Sequence, residues 1–475
     1  MKNMNKLKNI CIKYNLNKYI AITCVFLWIF LTLTNPNMQI YNSDEVWAYN
    51  IAQDLNFLEI IKLMHYEGHT FLWYTILKPF THISSLYPEI VKYLNWLFCF
   101  ASMILLWFFA PIKSYIKILI MFSSPFWVIY PTLGRDYGLT IFLLFLLTFF
   151  YKNRLQHVVL YSILLFFATN TCINGTFVTL ILSCFFIYDI YRINNKNWKC
   201  KKFLLPFFVI LSGFLVLAIQ WLPVHTPKYF ITENNLMLFI GFLFPKNNNM
   251  YLNFLTFLVF VPLFLTVLYI YIKYIKEFRW KIFAIYIIFA TMFFFLVIAP
   301  GRHYHYYFLY IYLIMLYWLL IENSVNFINN KFLYISCTTF LVAVSLIFNT
   351  AYRPTKIWGM TQYQYNITLN QISKLIPVNS TIYLSMDRVQ PFFYYLKNSY
   401  NLKTKSGDII PSYAAYKSIW SGKKFELSKI SVDTTNNSNT FFLTYIWNKN
   451  NETKMTFSKC KILYGNFKLC KLPIK

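Results

Sequence analysis

The chemistry open to this sequence starts from its carboxylates, which are scarce and unevenly placed. Five of the 16 acidic residues lie between residues 41 and 78: Asp44, Glu45, Asp54, Glu59 and Glu67. They follow the first long apolar segment and precede a second one that begins at His69, so we expect them at a membrane surface, facing an aqueous cavity. A carboxylate there can take the proton of an attacking hydroxyl group. Asp44, with Glu45 beside it, is the candidate for this general base.

Two further motifs carry cations at the predicted outer ends of apolar segments. One contains Arg135 and Tyr137, and the other contains Arg302, His303 and Tyr304. An arginine beside a phosphate ester offers bidentate, charge-assisted hydrogen bonds that a neutral residue cannot offer. Each motif also has a plainer interpretation. Arg135 could pair with its acidic neighbour, and Arg302 could anchor an aromatic belt at the membrane interface.

Asp44 likewise has a plainer interpretation, as a solvated acid at the start of a helix. Apolar residues recur after it at spacings of mostly three or four: Val46, Tyr49, Ile51, Leu55, Leu58 and Ile61. This pattern predicts an amphipathic helix lying on the bilayer. Ser43 or Asp44 would then serve as its N-cap.

The order of these motifs resembles that of a known enzyme family. Ser43-Asp44-Glu45, followed from Gly68 by Gly-His-Thr-Phe-Leu-Trp-Tyr, resembles the first external loop of the GT-C membrane glycosyltransferases. These enzymes use polyprenyl-phosphate sugars, and they include protein O-mannosyltransferases and the aminoarabinose transferases of lipid A. The resemblance covers the layout of residues 1–350. It departs from the family after His69, where two prolines are common, and at His303, which separates Arg302 from Tyr304.

What this resemblance implies is the transfer of a sugar from a polyprenyl-phosphate donor to an extracytoplasmic lipid, glycan or protein acceptor, with inversion at the anomeric carbon. Asp44 or Glu45 would act as the base. The donor phosphate would meet Arg302, Arg135 and His303, and the donor or acceptor pocket would include His69, Tyr137 and Tyr304. A divalent metal is compatible with this chemistry, although nothing in the sequence indicates one.

Composition assigns the broad class independently of any motif. The chain is 58% hydrophobic and only 13% charged, whereas soluble domains have about half apolar and about a quarter charged residues. The formal net charge of +28 does not indicate nucleic-acid binding, because the basic residues cluster between apolar runs. This distribution is the one that the positive-inside rule describes. The sequence therefore predicts a multi-pass protein of the plasma or inner membrane.

Apolar segments of about the length that a bilayer requires predict about eleven transmembrane helices. They lie at 19–33, 93–110, 116–133, 136–151, 157–172, 173–191, 203–222, 251–272, 282–299, 306–322 and 332–350. The predicted fold is thus mostly α, with a transmembrane domain at 1–350 that contains an acidic first external loop at 35–69. A small extracytoplasmic α/β domain is predicted at 351–475.

Basic clusters predict which turns are cytoplasmic. They are the N-terminal lysines, Lys152 with Arg154, the run from Arg192 to Lys202, the run from Lys273 to Lys281, and Lys331. The turns around Arg135, Asn174 and Arg302 should then lie outside, together with the residues after Thr350. If residues 70–87 also span the membrane, the chain crosses it once too often before Arg135 for the predicted cytoplasmic and external turns to alternate. One early segment should therefore be short or re-entrant.

The last 125 residues have shorter apolar runs, of strand length, at 381–385 and 440–446. Helix-like stretches are predicted at 390–397 and 412–420. If residues 464–466 form a three-residue hairpin loop, Cys460 and Cys470 lie opposite each other, either bridged or as two separate thiols. The seven other cysteines have no metal-site spacing.

Two other classes remain open from the sequence. A polysaccharide polymerase or ligase would share the many spans and external arginines, but it usually has one large external loop, and the longest here, 223–250, is modest. A transporter would be expected to show internal repeats with broken helices at matched positions. We find no such repeat.

Overall fold

The computed structural model describes most of the predicted membrane region and parts of the C-terminal region. The described residues are 19–41, 43–67, 69–83, 89–221, 265–293, 303–351, 360–384, 399–404, 440–445, 460–463 and 467–471, together with 396, 409, 412, 413 and 416. Contacts group the chain into two units. Unit 1 comprises Met1–Asn35, Asn95–Ala218 and Thr226–Thr355, and unit 2 comprises Pro36–Leu94, Ile219–His225 and Lys356–Lys475. This grouping differs from the sequence-based division at residue 350, because it places the acidic segment with the C-terminal residues.

The described α-helices and strands follow in chain order. The helices are α1 Tyr19–Leu33, α2 Ser43–Asp54, α3 Phe57–Leu63, α4 Phe71–Leu77, α5 Ile90–Phe109, α6 Ser114–Met121, α7 Tyr130–Thr132, α8 Tyr137–Phe150, α9 Val158–Thr169, α10 Ile173–Ile193, α11 Lys201–Trp221, α12 Leu265–Tyr274, α13 Phe278–Phe293, α14 His303–Asn323, α15 Val325–Asn329, α16 Lys331–Ala351 and α17 Gln362–Leu375. The strands are β1 Ile40–Tyr41, β2 Met360–Thr361, β3 Thr381–Leu384, β4 Asn401–Thr404, β5 Thr440–Tyr445, β6 Cys460–Leu463 and β7 Phe467–Lys471.

Membrane-length helices dominate unit 1. Among the described residues, three helices are long and apolar enough to cross a membrane: α5, α10 and α11. Shorter apolar helices accompany them in the described chain: α1, α8, α9, α12 and most of α14 and α16. Helices that are apolar on all faces belong in a membrane or a large core. The prediction of a mostly helical protein is confirmed, and some of its helices have the length and composition to span a membrane. The total of eleven spans stays a prediction.

The helix ends of unit 1 meet in two groups. In one group, Thr140 in α8 lies 3.3 Å from Cys172 before α10, measured between Oγ1 and Sγ. Tyr312 of α14 donates a hydrogen bond to the carbonyl of Asn174 (2.7 Å). In the other group, Arg154 in the turn after α8 and Asp189 near the end of α10 meet the first turn of α13. Turns predicted on the same membrane side therefore lie together.

The segment at 116–133, predicted as one span, is broken. Its first helix, α6, ends at Met121, and a π-helical turn at Pro125–Ile129 follows before the short α7. Proline lacks an N–H group and clashes with the preceding helical turn, so Pro125 interrupts the regular hydrogen-bond ladder. The prediction of a single continuous helix here was wrong.

The acidic segment of unit 2 folds as two helices instead of the single amphipathic helix predicted. Asn56 ends the pattern because it caps α3, in a capping box with Glu59 (3.0 and 2.8 Å). Helix α2 also lacks a free polar face, since every residue from Glu45 to Ala52 is buried. The first part of the expected surface helix is thus a core helix, whereas α3 exposes Phe57 and Leu58.

The stretch after His69 is too short to cross a membrane. Helix α4 has seven residues, and a five-residue 3₁₀ turn, Lys78–His82, follows it. At about 1.5 Å per residue, α4 spans roughly a third of a bilayer's hydrocarbon core. The described part of this early segment is therefore short, as is helix α6 in the segment at 116–133.

Unit 2 also contains a five-stranded mixed sheet, which confirms strands within both predicted runs. The strand order is β4-β3-β5-β7-β6, with β3 parallel to both of its neighbours and β7 antiparallel to β5 and β6. The short strands β1 and β2 pair separately. Only single residues of the helix-like stretches at 390–397 and 412–420 belong to the described chain.

The two C-terminal cysteines are bridged. Cys460 and Cys470 pair in register across β6 and β7, and a disulfide joins them. The predicted loop residues, 464–466, lie outside the described residues, but the flanking pair Leu463 and Phe467 has the register that such a loop requires. Of the two alternatives left open by the sequence, the bridge is the one observed. Disulfides persist in oxidising compartments.

Candidate functional site

The acidic pair at the start of α2 has two different environments. The helix begins at Ser43, so Asp44 and Glu45 both lie in its first turn, where the helix dipole favours negative charge. Asp44 is half-buried, whereas the side chain of Glu45 is only 1% exposed. Asp44 therefore retains access to solvent or a substrate, and Glu45 faces the protein interior.

A buried lysine holds the start of α2 in place. The Nζ of Lys92, in the first turn of α5, lies 3.6 Å from a carboxylate oxygen of Glu45 and donates a hydrogen bond to the carbonyl of Asn37 (2.7 Å). Lys92 is itself 2% exposed. A buried cation of this kind needs a nearby anion and acceptors. The pair thus fixes the turn that precedes α2, and with it the position of Asp44.

The other end of α2 is also fixed by a lysine. Lys78 donates hydrogen bonds from Nζ to the carbonyls of Ala52 (3.0 Å) and Leu55 (2.8 Å). A cation at a helix C-terminus satisfies carbonyls that have no partner within the helix and complements the dipole. The hydroxyl of Tyr49 donates to the carbonyl of Thr81 (2.9 Å).

Two more acids of the segment are held by aromatic side chains. The indole N–H of Trp47 donates to Glu67 (2.5 Å), and its ring meets that of Tyr416 edge-on (4.7 Å between centroids). The hydroxyl of Tyr416 donates to Asp54. Burial, and next the negative charge of Asp54, raise the pKa of Tyr416 well above its ordinary value, so this phenol stays protonated as a donor. These contacts give Asp54 and Glu67 structural roles.

His69, predicted to line a pocket, is half-buried just before α4. The first N–H of α4, that of Phe71, donates to the side-chain oxygen of Gln220 (2.7 Å). Helices α2 and α4 pack against each other. The acidic pair and His69 therefore belong to one packed group of short helices in unit 2.

The Arg135 motif in unit 1 is a tight turn held by an asparagine. Asn95 of α5 donates from Nδ2 to the carbonyl of Tyr130 (2.6 Å) and accepts from the N–H of Gly138 (2.8 Å). A side chain at position 138 would be blocked, because a Cβ there would lie 2.5 Å from the carbonyl oxygen of Asn95. Arg135 is half-buried, and Tyr137 is fully buried.

The second cationic motif starts α14. Arg302 lies outside the described residues, and the structure describes the backbone but not the side chains of His303 and Tyr304. One turn further along, Phe308 packs on Tyr130 and Tyr137, with ring centroids 5.4 and 5.9 Å away. The start of α14 therefore lies next to the Arg135 turn.

Three polar residues of these groups were not singled out from the sequence. Lys92 and Asn95 interrupt the apolar run of α5, and an ionisable residue within such a run is a signal in itself. Asn50 in α2 is 1% exposed, and neither atom of its amide has a hydrogen-bond partner among the described residues. Its position within the apolar repeat of the acidic segment could have identified it.

In the part of the chain that the structure describes, no group of three or more His, Cys, Asp or Glu side chains could hold a metal ion. A comparison with known proteins finds no match: no family model matches the chain, and neither a curated protein nor a solved structure matches it.

Proposed function

We propose that this protein is an integral-membrane glycosyltransferase that moves a sugar from a polyprenyl-phosphate donor to an extracytoplasmic acceptor. The observation that carries the proposal is the contact of Phe308 with Tyr130 and Tyr137. It places the described start of α14, which follows Arg302 in sequence, beside the Arg135 turn, and both arginines are predicted to hold the donor phosphate. Charge on a leaving group needs preorganised cations beside it, and this is the role that we assign to the two arginines.

In the proposed mechanism, Asp44 accepts the proton of the acceptor hydroxyl as that oxygen attacks the anomeric carbon. The bond from this carbon to the phosphate oxygen breaks, and Arg302 and Arg135 stabilise the departing phosphate, with His303 beside them. A single carboxylate without a covalent intermediate gives inversion. Glu45, paired with Lys92, keeps Asp44 in place. His69, Tyr137 and Tyr304 are assigned to the pocket.

The proposed topology has about eleven spans, a cytoplasmic N-terminus and an extracytoplasmic C-terminal region. Two observations support it. Turns assigned to the same side lie together in unit 1, and a disulfide is present in the region assigned to the outside.

The first experiment compares lipid extracts of cells with and without the protein. We expect a polyprenyl-phosphate sugar to accumulate in its absence and the wild-type protein to reverse this. Asp44→Asn removes the proton acceptor at constant shape, so it should slow turnover by about 10²- to 10⁴-fold and fail to reverse the accumulation. Glu59→Gln is the matched control, because it removes a charge from the same segment while glutamine still serves a capping box.

The accumulated lipid then serves as the donor in binding and single-turnover assays with purified protein. Asp44→Asn should bind it normally and transfer slowly, whereas Arg302→Ala should lose both affinity and rate. Normal transfer by Asp44→Asn would remove Asp44 from the mechanism. Absence of any accumulating lipid-linked sugar would count against the whole proposal.

A further inference from the structure

A second polar cluster lies at the opposite end of unit 1, remote along the helices from the Arg135 turn. The carboxylate of Asp189, in the last part of α10, accepts from Nε and Nη2 of Arg154 (3.2 and 2.6 Å). It also accepts from Nη1 and Nη2 of Arg279 (2.9 and 2.5 Å). Tyr151 completes the cluster, because its ring lies under the Arg154 guanidinium (3.9 Å).

This cluster carries more positive than negative charge. Two guanidinium groups share one carboxylate, which leaves a net positive charge in a largely buried place. The other acid near Arg279 in sequence, Glu277, instead accepts a hydrogen bond from Ser324 (2.9 Å) and forms no ion pair within the described chain. Uncompensated charge near a membrane is costly, so an additional anion would stabilise the cluster.

Arg279 can reach such an anion. Its side chain is 27% exposed, compared with 10% for Arg154 and 11% for Asp189. Its Nη atoms bind Asp189 and Tyr151, and its Nε–H has no acceptor in the described part of the chain. Arg279 also lies in the first turn of the 16-residue helix α13, where the helix dipole adds positive potential.

The surroundings favour a lipid phosphate as that anion. The turn that contains Arg154 also contains the exposed Lys152, and the apolar Phe278 beside Arg279 is 74% exposed. Basic pockets between transmembrane helices on the cytoplasmic side bind anionic headgroups, and the basic clusters of this sequence assign this end to that side.

We propose that Arg279, with Arg154 and the first turn of α13, forms a binding site for the phosphate of an anionic phospholipid headgroup. The bound phosphate accepts from the Nε–H of Arg279, and its charge balances the second guanidinium. The site is independent of the proposed sugar transfer.

The test measures thermal stability of the full-length protein in nanodiscs of phosphatidylcholine alone and of phosphatidylcholine with phosphatidylglycerol. A ligand that binds only the folded state raises the melting temperature. We expect phosphatidylglycerol to raise it for the wild-type protein, and Arg279→Gln to abolish this increment, with at least about tenfold weaker retention of phosphatidylglycerol in native mass spectrometry. Arg192→Gln is the control, because Arg192 is exposed at the end of the same helix as Asp189 and its loss should leave the increment unchanged.

A purely structural clamp gives a different result: Arg279→Gln would then lower the melting temperature equally in both lipids, with the increment intact, and the proposal would be overturned. Equal loss of the increment in Arg192→Gln would also overturn the proposal, because such a loss would indicate general surface attraction.

Inorganic phosphate in detergent, at matched ionic strength, distinguishes a site for any phosphate group from a site for a lipid headgroup. If inorganic phosphate stabilises the protein and this effect depends on Arg279, the site recognises the phosphate group itself. If phosphatidylglycerol stabilises the protein and inorganic phosphate does not, the site recognises the whole headgroup. If Arg279→Gln does not fold, Arg279→Lys, which keeps the charge but loses the bidentate geometry, should reduce the increment.

Discussion

At the scale of single residues, neighbouring acids have separate tasks because burial differs between them. Asp44 keeps an accessible face, whereas Glu45 lies beside the buried Lys92. Isolated charges as deeply buried as these are strongly unfavourable, and a pair is tolerated only when geometry and hydrogen bonds compensate for lost hydration. The hydrogen bond from Lys92 to Asn37 provides part of that compensation.

The buried pair gives a prediction about stability. Glu45→Gln leaves the ammonium of Lys92 without this carboxylate, so we expect a loss of about 3–5 kcal/mol in the free energy of unfolding. Lys92→Met should lower the free energy of unfolding by a similar amount, because it leaves the buried carboxylate of Glu45 without its cation. The double variant should lose less free energy of unfolding than the two single variants lose together. Thermal melts of the four proteins in detergent test this, and strictly additive losses would show that the two charges do not interact.

At the scale of elements, the short helices and tight turns matter more than the long spans. Helix α2 is fixed at one end by Lys92 and at the other by Lys78. The Arg135 turn is fixed by both amide atoms of Asn95. Each candidate group therefore lies on backbone that is tied to a neighbouring element, which is the arrangement that a preorganised site requires.

Gly138 tests the rigidity of the Arg135 turn. Gly138→Ala would place a Cβ 2.5 Å from two atoms of Asn95 and 2.9 Å from Cys99. Overpacking of this kind costs about 1–3 kcal/mol, which equals or exceeds the gain of about 1 kcal/mol in helix propensity. Gly213→Ala is the matched control, since its nearest neighbour is 3.2 Å away. We expect a lower melting temperature for Gly138→Ala than for Gly213→Ala, and equal values would argue against a tight turn.

At the scale of the whole molecule, charge distribution and helix length determine how the chain enters a membrane. Basic clusters predict which turns are cytoplasmic, and helix ends predicted on the same side lie together within unit 1. The C-terminal sheet carries a disulfide. Both features favour the same orientation.

Thiol labelling in intact cells checks this orientation. Val378 is 67% exposed in the C-terminal region, and Asn197 is exposed in the turn between α10 and α11. We expect a membrane-impermeant maleimide to label Val378→Cys from outside, and to label Asn197→Cys only after the cells are opened. The parent protein measures the background of its own free cysteines. External labelling at position 197 would reverse the proposed sidedness.

Much of the architecture follows from the sequence alone, because it depends on local composition and period. Apolar runs of membrane length, basic turns, the strands at 381–384 and 440–445 and the pairing of Cys460 with Cys470 all arise from residues close together in the chain. Where sequence reasoning was wrong, at 116–133 and in the acidic segment, local breakers such as Pro125 and Asn56 had overridden the apolar repeat.

Only the tertiary structure decided which distant residues meet. Glu45 with Lys92, Asp54 with Tyr416, and Asp189 with Arg154 and Arg279 are separated by many residues, and no periodicity relates them. Burial decided their roles, because a charge that loses its hydration must find a partner wherever packing brings one. Sequence alone therefore determined a mostly helical chain with apolar runs of membrane length, an acidic segment and two arginine motifs. Packing determined that Glu45 is buried beside Lys92 and that Asp44 remains accessible.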